Sequence, residues 1–315
     1  MSIVRPPTSS PDRSGCRKLA GPVVLILTAL VACTPLPGEP DGTTAPPTTA
    51  ATTSSTVRPT TSTTVAVSTS TTPAATNTTS GATRFDALIS VPEGPGPFPA
   101  VVLVHGGSWV AGSPRSLEPL ARHLASSGYL VVNTRYRLAS LEVPSFPQAI
   151  QDIACAVRHA AHHPASDGSV TLIGHSAGAH LAAVVALTGD TYGEECDDPV
   201  VATADRLVGL AGPYDIVQLG VLAAPLFGVA PSEDPDLWAS GNPMSLIGPE
   251  TDVAVLLLHG DDDTVVSVRF SESFAEALES AGFLVDLQIL TDVTHMTVTD
   301  PTAIGDTLVG WLADN

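Results

Sequence analysis

Val170-Thr171-Leu172-Ile173-Gly174-His175-Ser176-Ala177-Gly178-Ala179-His180-Leu181-Ala182-Ala183-Val184-Val185 runs from a short β-branched apolar stretch, through two glycines flanking a serine, into an alanine-rich segment without proline. The first part has the length and residue types of a buried strand, and the last part those of a buried helix. A G-x-S-x-G string between a strand and a helix forces its serine into a strained turn. The glycines two places to either side leave room for the crossing strand and helix, and the hydroxyl projects above the sheet at the helix N-terminus. A serine that merely sits in a strand-to-helix turn has the same local pattern, so further signals have to come from elsewhere in the chain.

The first lies upstream. His105-Gly106-Gly107-Ser108-Trp109 follows the apolar run 100–104, where unobstructed glycine N–H groups can face a developing negative charge. The expected oxyanion donors are the N–H of Gly107, joined by Gly106 or Ser108, and the N–H of Ala177 just after the serine. Each such donor contributes roughly 3–4 kcal/mol to an acyl-transfer transition state. Ser108 and Trp109 are candidates for the wall of a substrate pocket, with a plain core role for Trp109 as the alternative.

The second signal lies downstream. A serine hydroxyl needs a base to take its proton, and the base needs a carboxylate to hold its tautomer. The apolar run 253–258 ends in His259-Gly260-Asp261-Asp262-Asp263, and a helix and a strand later comes His295. Of the nine histidines, His105, His175 and His259 sit inside motifs flanking the site, and four others fall on or near helix ends. His180 follows the serine by one helical turn, where a structural hydrogen bond is expected. Only His295 falls in a loop late enough to reach Ser176. Asp261, Asp262, Asp263 and Asp292 all compete to orient it. No H-E-x-x-H or C-x-x-C spacing, dinucleotide fingerprint or P-loop occurs, so neither a metal nor a nucleotide cofactor is expected.

Around these motifs apolar runs alternate with helical stretches, the pattern of a parallel sheet flanked by helices. The spacing predicts strands over 85–91, 100–104, 130–133, 169–173, 207–210, 253–258 and 284–290, and helices over 116–127, 147–162, 177–187, 268–281 and 301–313. The proline-rich segment 212–252, with Leu222, Leu226, Phe227, Trp238 and Met244 scattered through it, is expected to form a small cap. The fold class is therefore α/β, with a mostly parallel central sheet.

The other end of the chain differs in kind. Arg13, Arg17 and Lys18 precede the apolar run 19–31, a pattern typical of an export leader and too short to span a bilayer easily. It ends in Leu30-Val31-Ala32-Cys33, similar to the lipobox of bacterial lipoproteins, whose cysteine is lipidated; an ordinary cleaved leader or an uncleaved anchor is the alternative. Thr, Ser and Pro make up 31 of the 49 residues in 34–82, which contains no aromatic residue and cannot bury enough apolar surface to fold. Such a tether would separate its ends by about 40 Å. The expected organisation is thus a leader over 1–33, a tether over 34–82 and one catalytic domain over 83–315. That last part carries eight arginines, no lysine and 29 acidic residues. So acidic a surface repels phosphate backbones and anionic headgroups, which disfavours nucleic acid or charged membrane as partners and suits neutral or cationic small molecules. Cys155 and Cys196 lie in neighbouring segments of what should be an exported domain, and a disulfide between them is expected.

With these motifs in place, the chain resembles the α/β-hydrolase superfamily, and within it the branch shared by hormone-sensitive-lipase-like esterases and bifunctional feruloyl/acetyl-xylan esterase-like domains. The resemblance covers roughly 84–315 and includes Tyr136-Arg137-Leu138-Ala139 followed by Phe146-Pro147 and Asp152, Ala211-Gly212-Pro213-Tyr214-Asp215, and Asn242-Pro243-Met244-Ser245. It departs from the family pattern at Ser108, where a third glycine is usual, and at Ser267, where a proline often follows the acid. The resemblance implies that the last residue of the H-G-x-x-D string, Asp263, is the triad acid and that His295 is the base. Position agrees with that choice: Asp292 shares the histidine's loop, and Asp261 and Asp262 lie nearer the strand end. The implied chemistry is cleavage of carboxylic esters, on small molecules or attached to polysaccharide. Lipase, peptidase and arylformamidase chemistry on the same fold are the alternatives, as is a non-catalytic envelope protein.

Overall fold

Apolar side chains that alternate between two buried faces draw the predicted strands into one sheet. The computed structural model describes residues 86–140, 142–249 and 252–315. Its strands are β1 Ala87–Ser90, β2 Phe98–Val104, β3 Leu130–Thr134, β4 Ser166–His175, β5 Arg206–Leu210, β6 Ala254–Gly260 and β7 Val285–Leu290. They lie in the order β1-β3-β2-β4-β5-β6-β7. β1 runs antiparallel to β3, and every other pair is parallel. The expected leader, Cys33 and the tether lie outside the described residues. Among the described residues no helix is long and apolar enough to cross a membrane.

Helices cover both faces, as parallel strands require. α1 Glu118–Ser126 and α8 Pro301–Asp314 bury Leu120, Leu124, Ile304, Leu308 and Leu312 against Val101, Leu103, Ile173 and Leu256 on one face. α2 Gln148–His162, α3 Ala177–Thr188 and α7 Arg269–Ala281 cover the other, with Ile150, Ile153, Leu181, Val184 and Phe274 against Val102, Val104, Leu172 and Leu257. Neighbouring strand residues thus serve opposite cores.

Two of the quoted motifs prove to be braces. Arg137 follows β3 and donates from Nε and Nη2 to both oxygens of Asp152 on α2, at 2.8–3.1 Å, while its backbone N–H takes Oδ2 at 2.7 Å. Asn242 accepts the N–H of Ile216 on Oδ1 and donates through Nδ2 to Asp215 and Ser245. The segment between β5 and β6 is more ordered than its composition suggested. After a 3-10 turn at Ile216–Leu222 come three short helices, α4 Ala224–Phe227, α5 Pro235–Ser240 and α6 Pro243–Leu246. Each of the three carries proline in its first turn, where a missing N–H costs nothing. Leu226, Phe227 and Trp238 are buried, with the Phe227 and Trp238 rings stacked 4.5 Å apart, whereas Leu222 stays exposed.

The expected disulfide is present, joining Cys155 on α2 to Cys196 after α3 with Cα atoms 5.1 Å apart. The same loop is held by Arg158, which donates to both carboxylate oxygens of Asp190 and, at 2.7 Å, to the Asp198 carbonyl.

Candidate active site

Parallel strands deliver their carboxyl ends to one edge of the sheet, and the loops that follow β2, β4, β6 and β7 meet there. At the end of β4 the backbone turns on Ser176 with φ 53 and ψ −122. A residue with a side chain in that region is strained by about 1–3 kcal/mol and persists only where its surroundings hold it. The Ser176 N–H donates to the Leu210 carbonyl at 2.8 Å. The two flanking glycines are steric necessities: a Cβ on Gly174 would collide with the backbone of Gly178, and one on Gly178 with the Val104 carbonyl of β2.

His295 arrives from the loop after β7. Its Nε2 lies 3.0 Å from Ser176 Oγ, and its Nδ1 lies 2.7 Å from Asp263 Oδ2. The His295 loop approaches closely because Gly260 has no side chain; a Cβ there would run into the Val293 carbonyl. Of the competing acids, Asp261 and Asp262 have backbone N–H groups still tied to Leu290 and Val293, and their side chains point outward to solvent. Asp263, whose own N–H closes a turn on the Gly260 carbonyl at 3.3 Å, points its side chain inward. Its Oδ1 accepts the N–H groups of Val265 and Val266, both at 2.8 Å, and its Oδ2 also lies 3.2 Å from His259 Nε2. Burial by itself would raise this carboxyl's pKa, but the bonds from Val266, His295 and Val265 outweigh it and hold the group below the ordinary range.

Two histidines that sequence reasoning left as motif members brace the site. His175, immediately before the serine, donates from Nε2 to the His295 backbone carbonyl at 2.8 Å, with the two rings 4.8 Å apart. Burial lowers its pKa to about 4, so the ring is neutral at neutral pH. His259 donates from Nε2 to the Val266 carbonyl at 2.9 Å and receives the Ser271 hydroxyl on Nδ1 at 2.8 Å; burial lowers its pKa too. Neither role was readable beforehand, because the partners are main-chain atoms or a helix residue with no motif of its own.

Gly106 stands beside the serine, where a Cβ would come within 3.0 Å of Ser176 Cβ. Gly107 adopts φ 130, and its carbonyl is turned away to accept the N–H groups of Val110 and Ala111. Among the described residues no protein acceptor takes the N–H of Gly107 or of Ala177. Ser108 is exposed, whereas Trp109 is buried to 3% exposure and its indole N–H donates to His180. Tyr136 supports this loop from below, its hydroxyl donating to the His105 carbonyl at 3.1 Å with the two rings stacked. Among the described residues no cluster of side chains suited to a metal ion occurs. The arrangement offers a hydroxyl with a proton acceptor at one side and free N–H donors nearby.

Sheet order, elbow and cap together define an α/β hydrolase. Residues 88–278 match the BD-FAE family, and the chain belongs to it. It is 26% identical to esterase LipC of Mycobacterium tuberculosis over 201 residues, 58% of this chain and 49% of LipC. The chain spans about half the length of the curated relatives it matches. Among solved structures it is similar to a truncated form of carbohydrate esterase from gut microbiota, with TM-score 0.64 and 22% identity over 73% of this chain and 90% of that one. A second is propionate-bound esterase Est2 of Thermogutta terrifontis, at TM-score 0.59 and 22% identity, covering 73% and 87%. At that identity the structural likenesses speak for the fold.

Proposed function

We propose that this chain is a serine carboxylesterase in which Ser176 is the nucleophile, His295 the general base and Asp263 the orienting acid. The observation that carries the proposal is the continuous hydrogen-bond chain from Asp263 through His295 to Ser176, at 2.7 and 3.0 Å, ending on a serine held at φ 53. Ser176 Oγ attacks the ester carbonyl while His295 Nε2 takes its proton. The oxyanion is received by the N–H groups of Gly107 and Ala177, with Gly106 giving the carbonyl room. The tetrahedral species collapses, the C–O bond breaks, and the alcohol leaves with the proton held by His295. Water, giving its proton to His295, then attacks the acyl-enzyme; the bond from the acyl carbon to Ser176 Oγ breaks, the carboxylic acid leaves, and Oγ takes the proton back from His295.

The cap argues for short acyl groups. Its largest apolar side chains, Phe227 and Trp238, pack on one another, and the large apolar residues it exposes among those described are the smaller Val217, Val221 and Leu222. Acetyl and propionyl esters of small alcohols or sugars are the substrates proposed, and the propionate-bound relative is in keeping with that size. The leader, Cys33 and tether support display of the domain outside the cell, anchored by lipid or released.

The test is a hydrolysis panel from acetyl to hexadecanoyl p-nitrophenyl esters on the intact protein and on Ser176→Ala. The expected result is a maximum at C2–C4 and a loss of several orders of magnitude in the variant. Retention of more than about a tenth of the turnover by a folded Ser176→Ala protein would remove the nucleophile assignment. Rates climbing steadily to long chains would overturn the substrate class.

A further inference from the structure

Two oxyanion donors are useful only if the distance between them is fixed, and here they come from different segments: Gly107 from the loop after β2, Ala177 from the start of α3. Within the loop the Gly107 carbonyl accepts the Val110 and Ala111 N–H groups, and Tyr136 holds the His105 carbonyl, but neither contact reaches α3. Gly107, Ser108 and Trp109 have φ values of 130, 52 and 64, so two residues with side chains follow a glycine in a region that L-residues avoid. Such a run persists only where something outside it holds it. At Trp109 itself the backbone supplies a tie, the Ala139 N–H donating to the Trp109 carbonyl at 2.9 Å. The tie to α3 is the Trp109 side chain, whose indole N–H donates to His180 Nδ1 at 3.1 Å with the rings edge to face, 5.4 Å between centroids.

His180 lies on α3, and its backbone N–H donates to the Ser176 carbonyl at 3.2 Å. Its Nε2 donates to the Gly241 carbonyl of the cap at 2.8 Å. Gly241 can sit there because it has no side chain; a Cβ would press on the rings of Phe227 and Phe146. The imidazole is wholly buried. With a carbonyl on one side and an indole N–H on the other, one tautomer alone satisfies both partners, with the proton on Nε2.

We propose that His180 is a positioning residue for the oxyanion hole: through Trp109 it sets the loop that presents the Gly107 N–H against the helix that presents the Ala177 N–H, and through Gly241 it refers both to the cap. This rests on the esterase reading above. The imidazole touches no reacting atom, so its effect falls on the transition state and not on substrate affinity.

Two variants each cut one arm. Trp109→Phe keeps an aromatic ring, though a smaller one, and loses the N–H donor; His180→Asn leaves an acceptor near the Nδ1 position and loses the bond to Gly241. Turnover of p-nitrophenyl acetate is measured per active site titrated with an organophosphate, together with the inhibition constant of a boronic acid that forms a tetrahedral adduct on serine. Trp109→Phe should lower kcat by about 10²-fold with KM within about threefold, and weaken boronate binding in parallel, as expected for misplaced catalytic donors. His180→Asn should cost less, and the double variant should cost less than the product of the two, because both act on one chain of contacts. If His180→Asn does not fold, Trp109→Phe alone carries the test. A purely structural role would reduce the number of titratable sites while leaving kcat per site and boronate affinity unchanged, and that result overturns the proposal. Wild-type protein without Ser176-dependent hydrolysis would instead overturn the esterase reading, and this role with it.

Discussion

Replacing Asp263 by Asn tests the proposed acid with minimal change of shape. The carboxylate accepts on both oxygens: Oδ1 takes two backbone N–H groups at 2.8 Å, and Oδ2 faces His295 Nδ1 at 2.7 Å and His259 Nε2 at 3.2 Å. A carboxamide can accept on one side only. The backbone N–H groups of Val265 and Val266 cannot change their chemistry, so the amide oxygen must face them and the NH2 must face the two rings. His259 keeps the Val266 carbonyl at 2.9 Å for its Nε2 proton and can stay as it is. His295 has no such refuge. To avoid two opposed donors its proton must move to Nε2, which then points an N–H at Ser176 Oγ in place of a lone pair, and the serine loses its base. By analogy with other triads the cost is about 10⁴ in kcat, equivalent to about 5 kcal/mol of transition-state stabilisation. The assay is short-chain ester hydrolysis per folded molecule, with near-ultraviolet circular dichroism to verify the fold. Asp261→Asn is the companion variant: its Oδ1 receives the Asp292 N–H at 2.9 Å, a bond that asparagine can keep, so activity should change little. If Asp263→Asn kept more than a tenth of the turnover while Asp261→Asn or Asp262→Asn silenced the enzyme, the tautomer reasoning and the assignment of the acid would both fail.

Two further outcomes are expected. Burial holds the pKa of His175 and His180 at about 4, against an ordinary 6.5, so between those values the unfolded chain binds protons that the folded one refuses. Their contribution to stability is therefore complete above pH 6.5 and is lost as pH falls toward 4, by up to about 3 kcal/mol for each ring; urea midpoints that stay level from pH 7 to 4.5 would contradict this. Replacing Cys155 and Cys196 together by serine reopens a loop closed over 41 residues and should lower unfolding stability by about 4 kcal/mol on the chain-entropy estimate. An unchanged denaturation midpoint in non-reducing buffer would show that Arg158 and its acidic partners already restrain that loop.

What could be read in advance follows from the range of the forces involved. The strands were legible because a buried parallel strand must be apolar on both faces, and the elbow because a serine at positive φ between a strand and a helix needs glycine at both flanks. Boundaries drifted where polar residues pair without being buried: β4 begins at Ser166, ahead of the exposed Gly168, because Ser166 still pairs with Phe98 of β2. The cap helices were missed because four- to six-residue elements are too short to show a period, and their first-turn prolines, with Gly228 and Gly241 after two of them, are the local marks. His175 and His180 were hidden for a different reason. Each bonds a main-chain carbonyl, 120 and 61 residues away, and a carbonyl leaves no mark on a side-chain pattern. A histidine can take such a place because one ring nitrogen donates while the other accepts or stays bare, provided the ring remains neutral. Burial supplies that neutrality. The same dry surroundings that enclose Ser176 and His295 thus keep the braces uncharged, so both supports of the site should weaken together in acid.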